Sequence, residues 1–147
     1  MPDLMLAIEV AAEPEVVFEA LVDWSHQGEW MLGTRVQATH LEGRGAGARI
    51  SAFTGVGPVG FVDPMEITLW EPPYRCHVRH LGRVVRGTGA FDIEPVAQGR
   101  TRFIWSEQLQ VPGGAAGKAA FVVVRPLAVA GVRRSLTRFA RWAEQRR

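Results

Sequence analysis

The chain has a single cysteine, Cys76, so no disulfide can close within it, and a reducing cytoplasm is the natural expectation. Long apolar runs are missing as well. Stretches such as Ala119 to Val124 fall far short of the roughly 20 residues a membrane-spanning helix needs. A secretory leader is not expected, because Asp3 and Glu9 interrupt the start and no basic flank precedes an apolar segment. Repeats, linkers and low-complexity tracts are absent, and 147 residues fit one domain with one core. Two catalytic signatures are also lacking. Without Gly-x-Ser-x-Gly there is no esterase elbow. The glycine run from Gly55 to Gly60 is followed by neither a helix nor a phosphate-binding lysine, so it reads as a hairpin.

What is present is an ordinary globular mixture, 47% hydrophobic and 22% charged. The formal charge of +2 conceals an asymmetry: residues 1–112 sum to −5 and residues 113–147 to +7. A basic tail of that kind raises nucleic acid or an anionic membrane as partners to be weighed.

Leu4, Leu6, Ile8 and Val10 alternate with polar residues, as in a half-buried strand. Pro14 suits the first turn of a helix carrying Phe18, Leu21 and Val22, and a second short helix is expected from Trp24 to Met31. Six strands follow at Thr34–Leu41, Ala48–Thr54, Phe61–Trp70, Arg75–Leu81, Arg83–Glu94 and Thr101–Val111, divided by Gly and Pro. The short breaks imply an antiparallel meander. After Pro112 the period becomes helical to the end, with Phe121, Val122, Val129, Val132, Leu136 and Phe139 in one apolar stripe and Arg134, Arg138 and Arg141 opposite. Pro126 is expected to kink this helix or to mark where an irregular first segment joins it. The fold class is α+β. A curled sheet covered by its only long helix makes two layers.

In this order the sequence resembles the START-like helix-grip superfamily (SRPBCC), in its polyketide cyclase/dehydrase-like group. The resemblance runs nearly end to end, through Val10-Ala11-Ala12-Glu13-Pro14, Asp23-Trp24, Glu29-Trp30-Met31, Gly45-Ala46-Gly47, Trp70-Glu71-Pro72-Pro73-Tyr74-Arg75, residues 87–102 and the closing helix from Arg125. It implies a single domain over residues 1–147, a seven-stranded sheet wrapped round the last helix, two short helices closing one end, and a ligand cavity between. Function transfers poorly within so varied a superfamily, and no catalytic residue follows from it.

Strand parity supplies an independent view of the cavity lining. If Phe103 and Trp105 face inward, so does Glu107, with Gly87, Gly89, Phe91 and Ile93 beside them on the neighbouring strand. Val78 and His80 join that face with Cys76, and His40 joins Val36 and Ala38. Bare glycines on an inner face leave room for a ligand or a close backbone. From the helix, Phe121, Arg125 and Val129 complete the expected ligand-binding set. Arg125 falls within the apolar stripe, so it pairs with a carboxylate such as Glu107, meets a polar ligand group, or reaches solvent beside Pro126.

His80 and Glu107 are the candidate catalytic residues, since either could move a proton. A Cys76–His80 dyad is excluded, because four residues along a strand span about 13 Å. A metal site from Cys76, His40 and His80 meets the same difficulty, and neither metal nor cofactor is expected. Arginines opposite an apolar stripe read most simply as a solvated face, so nucleic acid is not expected as a partner and contact with an anionic membrane is the lesser reading. Two functions remain from the sequence. One is the binding or transport of a hydrophobic molecule, lipid-like or aromatic; the alternative is a cofactor-free cyclase/dehydratase acting on such a ligand. Docking through the basic helix is a third. Polar groups gathered at one point of the cavity would favour the enzyme, and scattered ones binding.

Overall fold

A computed structural model describes residues 4–110 and 113–146. The expected strand end at Val111 and the helix break at Pro112 lie outside the described residues, as does Asp3. The chain order is β1 (Leu4–Val10), α1 (Pro14–Leu21), a 3-10 segment (Trp24–Glu29), β2 (Thr34–His40), β3 (Arg49–Val56), β4 (Val59–Glu71), β5 (Arg75–His80), β6 (Gly87–Ala97), β7 (Arg100–Leu109) and α2 (Gly114–Glu144). The seven strands form one antiparallel sheet in the order β1-β7-β6-β5-β4-β3-β2. This is the helix-grip arrangement.

α1 starts where proline costs nothing, since Pro14 fills the first turn and lacks only a donor that would have no partner there. It buries Val17, Phe18, Ala20 and Leu21. β6 begins at Gly87, not at Arg83. The chain turns out of β5 at Leu81, whose N–H donates to the Pro64 carbonyl at 2.8 Å, and residues 81–86 form a loop between the strands.

α2 divides into two unlike halves. In the second, Ser135, Leu136, Phe139, Ala140 and Ala143 are buried. The Phe139 ring packs on Phe103 at 4.5 Å between centroids and on Trp30 at 4.7 Å. The Ala11 N–H donates to Glu144 Oε2 and the Leu32 N–H to Ser135 Oγ, tying the helix to both ends of the preceding segment. The first half does not join the core. Val122 is exposed and Phe121 and Val129 are only half-buried, so the apolar stripe read from the sequence is continuous in pattern but buried only from about Ser135 onward. α2 runs through Pro126 as one element. The Val122 carbonyl, which the proline leaves without its usual donor, lies on an exposed turn where water can satisfy it.

Among the described residues α2 is also the one helix long and apolar enough, by length and composition, to cross a membrane. The absence of a long uninterrupted apolar run had hidden this, because valines and alanines keep the mean hydropathy of part of the helix high despite the interspersed charges.

Candidate functional site

Inward-facing residues alternate along four adjacent strands: Asp63, Met65 and Ile67 on β4, Val78 and His80 on β5, Gly89, Phe91 and Ile93 on β6, and Phe103, Trp105 and Glu107 on β7. Between this face and α2 lies a cavity of about 370 Å³, partly open to solvent. Val78, Phe91 and Trp105 form its sheet wall, Met31 and Leu32 its floor, and Ala128 and Val132 its helix wall. A volume of this order suits a small ligand.

One wall is polar. His80, whose side chain is 4% exposed, has Nδ1 2.9 Å from Asp63 Oδ1 and Nε2 3.0 Å from Glu107 Oε2. Trp105 Nε1 donates to the other oxygen of Glu107 at 3.1 Å. Burial alone would depress the His80 pKa, but hydrogen bonds and charge from Asp63 and Glu107 outweigh it and raise the value to about 9. His80 is therefore an imidazolium at neutral pH, donating through both nitrogens. Glu107 stands on β7, two strands from β5, and its carboxylate crosses β6 above Gly89. A Cβ at Gly89 would lie 2.9 Å from Glu107 Oε2, so the bare backbone there is what lets the cluster close.

Of the residues anticipated to line the cavity, Val78, His80, Phe91, Trp105 and Glu107 do so. Val36, Ile93 and Phe103 are buried in the core beside it. His40 is exposed, because a register shift between Ala38 and His40 turns it out of the inner face. Phe121 and Val129 are half-buried and Arg125 is exposed; none of the three lines the cavity, whose helix wall is formed by Ala128, Gly131, Val132 and Ser135. Glu107 is engaged by His80 and Trp105. Cys76 is fully buried, and burial pushes its thiol pKa up to about 12, which makes it a core residue and a poor nucleophile.

Asp63 was missed by the sequence reading, although β4 parity carries it: Asp63, Met65 and Ile67 alternate inward. Gln27 was missed too, and no sequence signal marks it. It lines the cavity with Oε1 buried and unpartnered among the described residues.

A curved antiparallel sheet gripping a long helix around a partly polar cavity defines a helix-grip protein of the SRPBCC superfamily. Residues 1–144 match the family described as polyketide cyclase / dehydrase and lipid transport, and the chain belongs to that family. Among solved structures it is similar to the Zhui aromatase/cyclase from Streptomyces sp. R1128, at 16% identity and a TM-score of 0.75 over 97% of this chain and 93% of that one. It is also similar to a protein from Nitrosomonas europaea, at 16% identity and a TM-score of 0.73 over 99% and 96%. A protein from Thermus thermophilus matches at 16% and 0.71, covering 95% of each chain. At such identities the likeness is one of fold. No curated protein matches the chain.

Proposed function

We propose that this protein binds a hydrophobic small molecule, lipid-like or aromatic, with a hydrogen-bond-donating end placed against Asp63, His80 and Glu107. The largely apolar cavity carries the reading, and the convergence of those three side chains on one wall gives the ligand's polar end its place. Two carboxylates and one imidazolium leave a formal charge of minus one, which repels a ligand carboxylate and favours a hydroxyl, phenol or amine. Gln27 Oε1 asks for a donor as well. The single buried Cys76 suits a reducing cytoplasm as the place of work.

The same convergence favours a second reading, an enzyme of the cyclase/dehydratase kind needing no cofactor. His80 has both nitrogens committed and cannot serve as the first base. Asp63 Oδ2 has no protein partner among the described residues, so Asp63 takes a proton from the ligand and returns it to the leaving or receiving atom, while His80 holds the carboxylates in place. Binding is common to both readings and stands first.

Native mass spectrometry with long-chain alcohols, polycyclic phenols and fatty acids of equal chain length tests the proposal. Uptake of the alcohol or phenol ahead of the acid at neutral pH is expected. Preference for the acid refutes the assigned polarity, and no uptake of any probe refutes binding. For the enzymatic reading, Asp63→Asn and Glu107→Gln should abolish turnover while ligand uptake persists; turnover retained in both variants removes it.

A further inference from the structure

The strand registers bring three chain segments to one end of the sheet. His80 pairs with Gly87 and Gly87 with Leu109, so the 81–86 loop and the start of α2 share that end with the β3–β4 hairpin, whose base at Thr54 and Asp63 lines the cavity opposite Ala128 and Val132 of α2. All three segments expose apolar side chains at this end. Val56 at the hairpin tip is 85% exposed, and on α2 Val123 is 77% and Leu127 78% exposed; Val59, Val84 and Val122 add to them. Soluble surfaces rarely gather this much without a partner.

Charge identifies the partner. Residues 53–62, 81–86 and 114–134 contain no aspartate or glutamate, while Arg83, Arg86 and Lys118 are exposed there without a carboxylate partner among the described residues. Elsewhere several exposed arginines have a carboxylate beside them, Arg44 with Glu19, Arg79 with Glu66, Arg100 with Glu9 and Arg146 with Asp23, while Arg35 lies over the Phe53 ring and Arg138 donates to the Glu29 carbonyl. A second copy of the chain would set like charges against each other, and RNA would leave the valines in water. A sheet of anionic headgroups over hydrocarbon answers both features.

We infer that the open end of the grip, formed by the β3–β4 hairpin tip, the 81–86 loop and the first half of α2, docks on an anionic lipid bilayer. The valines and Leu127 enter the headgroup boundary, and Arg83, Arg86 and Lys118 meet lipid phosphates. The cavity mouth then faces the membrane, so a lipid-like ligand passes between bilayer and cavity without crossing water. Docking does not depend on which ligand the cavity holds, and its test needs none.

Co-sedimentation of the full chain with vesicles of equal parts phosphatidylglycerol and phosphatidylcholine, and with pure phosphatidylcholine, reads the surface directly. Binding to the mixed vesicles in dilute salt, weakened at molar salt, is expected. The pairs Arg83→Glu/Arg86→Glu and Val123→Glu/Leu127→Glu should each lower partitioning about tenfold or more, with circular dichroism unchanged because all four residues are exposed. His80→Ala, which disrupts the ligand cluster, should partition as the native protein does. Equal binding to neutral vesicles, or undiminished binding by both paired variants, overturns the inference. So does a vesicle-inert protein that binds RNA, or that forms a dimer which Val123→Glu/Leu127→Glu dissolves.

Discussion

The two halves of α2 are built from similar residues and do opposite things. Both carry apolar side chains at helical spacing, and both carry arginines. Yet Phe139 is fully buried between Phe103 and Trp30, whereas Leu127, a little over three turns earlier, stands in solvent. The difference is one of contact: the second half lies against β1, α1 and the 3-10 segment, whereas the first half is mostly exposed and reaches the cavity wall only at its end, at Ala128. A hydrophobic pattern thus states which face of a helix wants cover and leaves open whether cover arrives.

The sharpest way to break this comparison is to truncate each half. Phe139→Ala should lower unfolding free energy by about 3–5 kcal/mol in a denaturant titration, since it removes a ring from a packed aromatic cluster. A loss under about 1 kcal/mol would mean that this half is no better packed than the first.

Next in size is Gly89→Ala, expected to cost about 1–3 kcal/mol because the new methyl displaces Glu107 from His80. Its signature beyond stability is a fall in the His80 pKa, measured by NMR titration of the imidazole. An unmoved pKa would show that Glu107 does not need the bare backbone of β6.

The cluster also sets a pH dependence. The His80 pKa is raised on folding from 6.5 to about 9, so its contribution to stability is fully present below about pH 6.5 and disappears as pH rises through about 9. Thermal melts of the native protein should show a midpoint that falls over this window, and His80→Gln should flatten that part of the profile. A native midpoint rising from about pH 6.5 to about 9 would contradict the arrangement. The smallest effect is expected from Val123→Ser and Leu127→Ser, each within about 0.5 kcal/mol of the native protein in the same titration. A cost above about 2 kcal/mol would place these side chains in a core and erase the contrast between the halves.

Much of the site was legible in advance because a strand places alternate residues on one face. Parity led from Phe103 and Trp105 to Glu107, and from Cys76 to Val78 and His80, and each of those last three inward assignments holds. His40 failed the same rule, because a register shift changes which face the next residue takes and nothing in the local sequence announces it. The role of Gly89 lay further out of reach. An empty inner face was readable, but that its space holds the carboxylate of a residue 18 positions later depends on β6 lying between β5 and β7. Asp63 and Gln27, neither of them anticipated, also belong to the cavity wall.

The sequence by itself determined the order of elements, the antiparallel meander, the inner faces of most strands and the family, because these follow from periodicity and turn chemistry along neighbouring residues. Only the tertiary structure decided that Asp63, His80 and Glu107 meet, that His80 is held as a cation, and that half of α2 is left uncovered. Each of those depends on distance between residues far apart in the chain, and on how much water the packed neighbours exclude.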